Sequence, residues 1–177
     1  MRKSAPPVFL HHAGFYPGWR GKPAHMTPAE TMLLYWYLET QPHKIEELWY
    51  DVAMDGIPGE AGTQLHTPFG TPGKFSRMWQ RLTSKRADAI ARIGNQYQIL
   101  EMRANAKAQT LGELHQYQLL AQGEWPELTW LPILLITQSI DYATLSAIQS
   151  AGFTYSVAPD TLDLPRARGF KSLTARR

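Results

Sequence analysis

The sequence contains no cysteine, and this absence removes several classes of protein at once. A disulfide framework, thiolate catalysis and a cysteine-ligated zinc site are all excluded. Long apolar runs are also lacking, because none approaches the ~20 residues that a membrane-spanning helix needs. The first residues carry two basic side chains but no apolar segment and no small-residue cleavage site. We therefore expect no secretory signal peptide.

The length and composition indicate one folded domain with arms. The 177 residues suffice for a single sizeable core, and 44% hydrophobic with 11% aromatic residues argues against a disordered chain. We expect an extended N-terminal arm over residues 1–26, an α/β domain over 27–158 and a basic C-terminal tail over 159–177. The arm is rich in proline, glycine and aromatic residues. Its aromatic surface predicts that it docks on the domain or on a neighbouring molecule.

Positive charge is unevenly distributed along the chain. The net charge is only +3, yet residues 108–165 contain no lysine or arginine, whereas basic side chains crowd residues 74–107 and the tail. Such clustering is typical of a surface that meets phosphate or an acidic partner. A solvated basic face with a basic tail is the alternative. The predicted DNA-contacting residues are Lys74, Arg77, Arg81, Lys85 and Arg86.

Residues 86–103 have the pattern of a β-hairpin whose two-residue turn is Gly94-Asn95. Counting outwards from this turn places Asp88 opposite Glu101 and Arg86 opposite Arg103, on the same face as the pairs Arg92–Tyr97 and Ile90–Ile99. Facing carboxylates are destabilising unless a cation compensates them. The cation is either a divalent metal bound by Asp88 and Glu101 or the two arginines, which would complete a formally neutral quartet.

The remaining pattern predicts a mixed central β-sheet flanked by helices. A capping box from Thr27 to Glu30, with Pro28 at the first helical position, predicts a helix to about residue 40, in which Glu30 is interpreted as the capping acid. A glycine- and proline-rich loop over 56–74 and a helical turn over 75–81 precede the hairpin. The other predicted elements are a strand at 44–54, a helix at 104–123, a strand buried on both faces at 130–137, a short helix after Ser139 or Asp141, and a strand at 153–157.

This order of elements resembles the core of the PD-(D/E)XK nuclease superfamily, which has a restriction-endonuclease-like fold. Residues 86–90 resemble the segment that carries the first acid, here Asp88. Residues 100–103 resemble the Glu-x-Lys segment, with Glu101 as the acid and Arg103 in the place of lysine. Residues 113–117 are similar to the Gln-x-x-x-Tyr helix of several branches, with Glu113 in the glutamine position and Gln116 out of phase.

The resemblance implies a set of site residues and a metal. Asp88 and Glu101 would bind Mg²⁺ or Mn²⁺. Because arginine is permanently charged, Arg103 could bind phosphate or carboxylate but could not give up a proton. The histidines His11, His12, His25 and His115 are not expected to be ligands. The catalytic residues that the resemblance implies are Asp88, Glu101, Arg103, Gln116 and Tyr117.

Two functions follow from the resemblance, and they belong to different classes. In the first, the protein is a phage-encoded structural component of a virion, in the head-to-tail neck or connector region near DNA, with weak or no catalysis and no required cofactor. Residues 1–26 and 159–177 would then bind other subunits, and DNA would be a further partner. In the second, it is an active Mg²⁺-dependent DNA endonuclease. Both place the protein in the virion or the host cytoplasm and away from membranes.

Overall fold

A computed structural model describes residues 13–14, 26–40, 45–54 and 85–164. The predicted loop at 56–74, the predicted turn at 75–81 and most of both arms lie outside these residues. The elements are β1 (Ala13–Gly14), α1 (Pro28–Thr40), β2 (Glu47–Met54), β3 (Lys85–Ile93), β4 (Gln96–Ala106), α2 (Ala108–Glu124), β5 (Leu134–Ile140), α3 (Tyr142–Ser150) and β6 (Thr154–Val157).

The strands form one mixed sheet whose spatial order is the chain order, β1 to β6. The pairs from β1 to β4 are antiparallel, whereas β4–β5 and β5–β6 are parallel. Side chains of α2 and α3 pack on one face and form the first core, and those of α1 pack on the other and form the second core. The predicted α/β class, a mixed sheet flanked by helices, is confirmed. Among the described helices, none has the length and apolarity to cross a membrane.

The strand β5 explains the uninterrupted apolar run in the sequence. Its first four residues are buried, because neighbouring strands and both helical layers enclose it. The predicted start at Trp130 is too early: Trp130 forms only an isolated bridge with Tyr97, and Pro132 has no N–H to donate to a ladder.

The helix α1 begins where its capping box places it, whereas α2 begins later than predicted. In α1, the Thr27 N–H donates to Glu30 Oε2 at 2.7 Å and the Glu30 N–H donates to Thr27 Oγ1 at 3.3 Å, which confirms the capping box. The helix predicted from residue 104 begins later, at Ala108, because Ala106 still pairs with Ile140 of β5.

The hairpin register is the predicted one from Ile93–Gln96 to Ala89–Leu100. In the turn, Gly94 has a φ of +61°, whereas Asn95 does not have a positive φ. A positive φ at the first central residue alone is the requirement of a type II′ turn, which suits the twist of the flanking strands. Gly94 is therefore the position where a side chain would be strained.

Replacing Gly94 with alanine should lower the free energy of unfolding by about 1 kcal/mol, because an L-residue is disfavoured at this φ. Urea denaturation measures the change. The control is Asn95→Ala, which should stay within about 0.5 kcal/mol of the parent protein. Equal losses at the two positions would contradict the type II′ geometry.

The chain folds back onto the domain after β6. Gln138 Nε2 donates to the carbonyls of Pro159 and Leu162 at 3.2 and 2.5 Å, and Leu162 and Leu164 pack against the second core. The start of the predicted tail is thus held against the α1 face of the sheet through Leu162 and Leu164.

Candidate functional site

The two hairpin strands stop pairing at the point where the acidic residues begin. The ladder between β3 and β4 ends at Ala89–Leu100, so the predicted pairs Asp88–Glu101 and Arg86–Arg103 are not part of it. Instead, the Met102 N–H donates to Asp88 Oδ2 at 2.8 Å. The Asp88 side chain therefore accepts a hydrogen bond that a backbone carbonyl of β3 would accept in a regular ladder.

The neighbouring strand β2 is irregular at the same level. Its ladder with β3 passes from Tyr50–Ala89 to Val52–Ala87 and omits Asp51 and Asp88, which would face each other. Asp51 has a φ of +55°, a left-handed conformation that aspartate adopts more readily than most residues. Tyr50 packs in the second core, whereas Val52, two residues further along, packs in the first. The strand thus changes the face of its side chains at Asp51, directly beside the acidic residues.

Arg86 binds Asp51 rather than joining Arg103. Its Nε lies 2.5 Å from Asp51 Oδ1, and its Nη2 donates to Oδ2 at 2.9 Å and to the Asp51 carbonyl at 2.7 Å. The predicted quartet of two acids and two arginines is therefore wrong, because Arg86 pairs with Asp51 outside it. Arg86 stabilises the irregular conformation of β2 at Asp51. The Arg86 carbonyl accepts a hydrogen bond from the Tyr117 hydroxyl at 2.9 Å.

Four carboxylates from four elements surround Arg103 of β4. Its Nη2 lies 2.5 Å from Glu101 Oε1 and 2.9 Å from Glu113 Oε2, and its Nη1 lies 3.3 Å from Glu30 Oε1 and 3.9 Å from Asp88 Oδ2. Glu30 belongs to α1 and Glu113 to α2, so the guanidinium reaches helices on both sides of the sheet. We call these five residues the Arg103 cluster.

The Arg103 cluster is not neutral. With every acid ionised, four carboxylates and one guanidinium would carry a formal charge of −3, and with Asp88 and Glu101 protonated the charge would be −1. The Asp51–Arg86 pair beside it is balanced and does not reduce this charge. The sequence predicted that a cation compensates the charges of Asp88 and Glu101. Arg103 compensates only part of the negative charge in the cluster.

Glu101 is the most buried member of the Arg103 cluster. Its side chain is 1% exposed, and neither of its oxygens accepts a hydrogen bond from the described part of the chain. Its contact with Arg103 is an ion pair without hydrogen-bond geometry. Burial, followed by the negative charge of Asp88, raises the pKa of Glu101 well above its ordinary value. Buried polar atoms in proteins nearly always have partners, so this group takes up either a proton, as its raised pKa indicates, or a bound cation that replaces the proton.

The same environment shifts other groups of the site. Burial raises the pKa of Asp88 from 3.8 to about 7, against the opposing effects of the Met102 N–H and Arg103. Burial lowers the pKa of Arg103, but Glu101 and the other carboxylates more than offset this, so the net shift is upward. Burial and the charges of Glu101 and Asp88 raise the pKa of the Tyr117 hydroxyl. Arg103 therefore stays charged and Tyr117 stays neutral.

The helix α2 brings Tyr117 to the site but not Gln116, and it adds Glu113. Tyr117 is buried and close to the acids, as its pKa shift requires, and Glu113, one turn earlier, binds Arg103. Gln116 is exposed, because it lies about 100° around the helix from Tyr117. His115 packs edge-on against Phe153, with ring centroids 4.9 Å apart. The helix thus presents Glu113 and Tyr117 to the site.

Three residues of the site, Glu30, Asp51 and Glu113, were not among the predicted site residues. Glu30 uses one oxygen for the capping box and the other for Arg103. Because the capping box already accounts for a glutamate at this position, nothing in the sequence indicates its contact with Arg103. Asp51 lies inside a predicted strand, where nothing in the sequence pattern indicates a positive φ.

Of the predicted DNA-contacting residues, only two are described. Lys85 is exposed at the start of β3, whereas Arg86 is half-buried and paired with Asp51. Lys74, Arg77 and Arg81 lie outside the described residues.

Fold and site together define a mixed α/β protein with a buried carboxylate cluster around one arginine. Comparison with family models, curated proteins and solved structures found no match. The function must therefore be inferred from the site.

Proposed function

We propose that the Arg103 cluster is a divalent-cation site in a nuclease-like protein that contacts DNA. The main support is Glu101, a carboxylate with a 1% exposed side chain and no hydrogen bond from the described residues. The excess negative charge of the cluster adds to this, because a further cation would offset charge that Arg103 leaves unbalanced.

Asp88 and Glu101 would hold the cation. Carboxylate oxygens are hard ligands, which suit Mg²⁺ or Mn²⁺. No three His, Asp or Glu side chains within residues 26–40, 45–54 and 85–164 form a complete ligand set. Mg²⁺ does not require one, since it commonly binds one or two carboxylates and completes its shell with water and substrate phosphate. The two carboxylates therefore fit such an ion.

When bound, such a cation supplies an activated water molecule and offsets charge on a phosphodiester group. The chain's own residues give little further help. Arg103 cannot accept a proton because it is permanently charged. Tyr117 stays protonated at neutral pH and donates its hydrogen bond to the Arg86 carbonyl. Hydrolysis at this site is thus expected to be slow or absent.

A weakly active or inactive nuclease fold agrees with a structural role in a phage assembly. In this proposal, the protein lies in the head-to-tail neck or connector region near DNA and binds other subunits through residues 1–26 and 159–177. The contacts of Arg103 with carboxylates support this structural role, because a guanidinium held by carboxylates is not available to bind a phosphate group during hydrolysis. The second candidate, an active Mg²⁺-dependent DNA endonuclease, is supported by the negative charge that remains at the site.

Mn²⁺ binding tests the cation site directly. We expect the protein to bind Mn²⁺, measured by the loss of its free-ion electron paramagnetic resonance signal, and Glu101→Gln to weaken binding by at least about tenfold. This change removes the charge and keeps the shape. The control is Glu127→Gln, which neutralises an exposed carboxylate elsewhere and should have no effect.

Nicking of supercoiled plasmid in Mn²⁺ then separates the two functions. Binding without nicking would support the structural role, and nicking that is lost in Asp88→Asn would support the endonuclease. Failure of the parent protein to bind Mn²⁺ would remove the cation site.

A further inference from the structure

Every nitrogen of the Arg103 guanidinium already has a partner. Nε donates to Glu113 Oε2 at 3.3 Å, and Nη2 donates to the same oxygen at 2.9 Å. Nη1 donates to Glu30 Oε1 at 3.3 Å and to the Met102 carbonyl at 3.1 Å. Nη2 also forms the ion pair with Glu101. Arg103 therefore cannot bind a phosphodiester group without releasing one of these partners.

Glu113 is the partner that a phosphate would have to displace. It occupies the Nε and Nη2 edge of the guanidinium, which is the edge that arginine commonly presents to a phosphate or carboxylate as a fork. The side chains of Arg103 and Glu113 are 28% and 29% exposed, whereas Glu101 is closed to solvent. A ligand from solution thus meets the Arg103–Glu113 pair before it meets Glu101.

We infer that Glu113 is an autoinhibitory residue, which holds Arg103 away from the DNA backbone. Arg103 is then a group that can bind phosphate only after it leaves Glu113, and loss of the Glu113 charge frees its guanidinium to do so. This inference rests on the proposed contact with DNA, but it does not require a metal ion. Glu30 has the same effect from the opposite side, because its carboxylate binds the Nη1 nitrogen.

The test compares the full chain with its Glu113→Gln variant in binding to a duplex DNA oligonucleotide. Fluorescence anisotropy in EDTA measures affinity over a series of salt concentrations. We expect Glu113→Gln to bind about tenfold more tightly at low salt, as one additional charge-assisted contact would give. The slope of log affinity against log salt should steepen by about one, since each phosphate contact contributes roughly 0.9.

Two further variants identify the source of the gain. In Glu113→Gln with Arg103→Gln, both the gain and the steeper slope should disappear, because the released guanidinium is gone. Glu127→Gln also removes one negative charge, but Glu127 is exposed and is not among the carboxylates that pair with Arg103, so it should change neither quantity appreciably. A gain that persists in the double variant would overturn the inference, since it would come from reduced repulsion alone. An unchanged affinity in Glu113→Gln would also overturn it.

Folding of each variant is checked by thermal unfolding. If Glu113→Gln does not fold, Glu113→Ala replaces it, because alanine is the best helix former and also removes the Glu113 charge. The same gain in affinity supports the inference, and no gain overturns it. All binding is measured without metal, so a failure here leaves the Mn²⁺ result standing. Conversely, a protein that binds no Mn²⁺ can still show the release of Arg103.

Discussion

Between pH 4 and pH 7, with divalent cations removed by EDTA, the free energy of unfolding is expected to fall by several kcal/mol. Asp88 has an ordinary pKa of 3.8 in the unfolded chain and about 7 in the fold. Over this range the folded protein holds a proton that the unfolded chain has lost, so stability decreases as pH rises. Three pKa units correspond to about 4 kcal/mol, at about 1.4 kcal/mol each. Glu101, also shifted upward, acts in the same direction.

Urea denaturation at a series of pH values measures this dependence. Asp88→Asn should flatten the profile, since the amide does not titrate. Adding Mn²⁺ at pH 7 should restore stability in the parent protein, because a ligand that binds only the folded state stabilises it. Stability that rises from pH 4 to pH 7 in EDTA would contradict the raised pKa of Asp88 and with it the electrostatic argument for a cation site.

Replacing Arg103 with methionine is expected to destabilise the protein by about 3–5 kcal/mol at pH 7, the range observed when one partner of a buried charge pair is removed. Methionine keeps most of the apolar stem, so the loss comes mainly from the charge. Glu101 would be left buried beside Asp88 without its cation. At pH 5 the loss should be smaller, because protonated carboxylates need less compensation. Chemical denaturation at the two pH values measures both losses.

Arg92 provides a matched control on the same hairpin. It pairs with two glutamates, Glu46 and Glu47, and its side chain is about as exposed as that of Arg103. Its partners are 39% and 45% exposed, so water solvates them when the arginine is removed. Arg92→Met should cost less than about 1 kcal/mol. Similar losses for the two variants would show that the carboxylates around Arg103 are not desolvated.

The order of the described elements from α1 onward was predictable because each has a local signal, whereas β1 lies in the predicted arm and has none. The capping box defined the start of α1, the Gly94-Asn95 turn fixed the register of the hairpin, and the uninterrupted apolar run indicated that β5 is buried on both faces. These patterns depend on residues a few positions apart. The boundaries that were wrong, such as the late start of α2, depend instead on pairing with a distant strand.

The candidate site was only half predictable. Counting from the turn placed Asp88, Glu101 and Arg103 in one region, and the structure brings them together. The counting assumed a regular ladder, however, and the ladder ends one pair before Asp88. Asp51 causes a second irregularity in β2 and takes Arg86 as its partner. A change of face at one residue is not visible in a sequence pattern.

The sequence by itself determined the elements from α1 to β6, their order and the hairpin that carries two acids and an arginine, because periodicity and turn chemistry are local. Only the tertiary structure decided the charge of the site. Glu30, 73 positions before Arg103, and Glu113, ten positions after it, converge on one guanidinium because α1 and α2 pack on opposite faces of the same sheet. This convergence replaces a balanced quartet with four carboxyl groups around one guanidinium, whose formal charge is −1 with Asp88 and Glu101 protonated and −3 with all four ionised. That excess of negative charge is the physical reason to expect a cation.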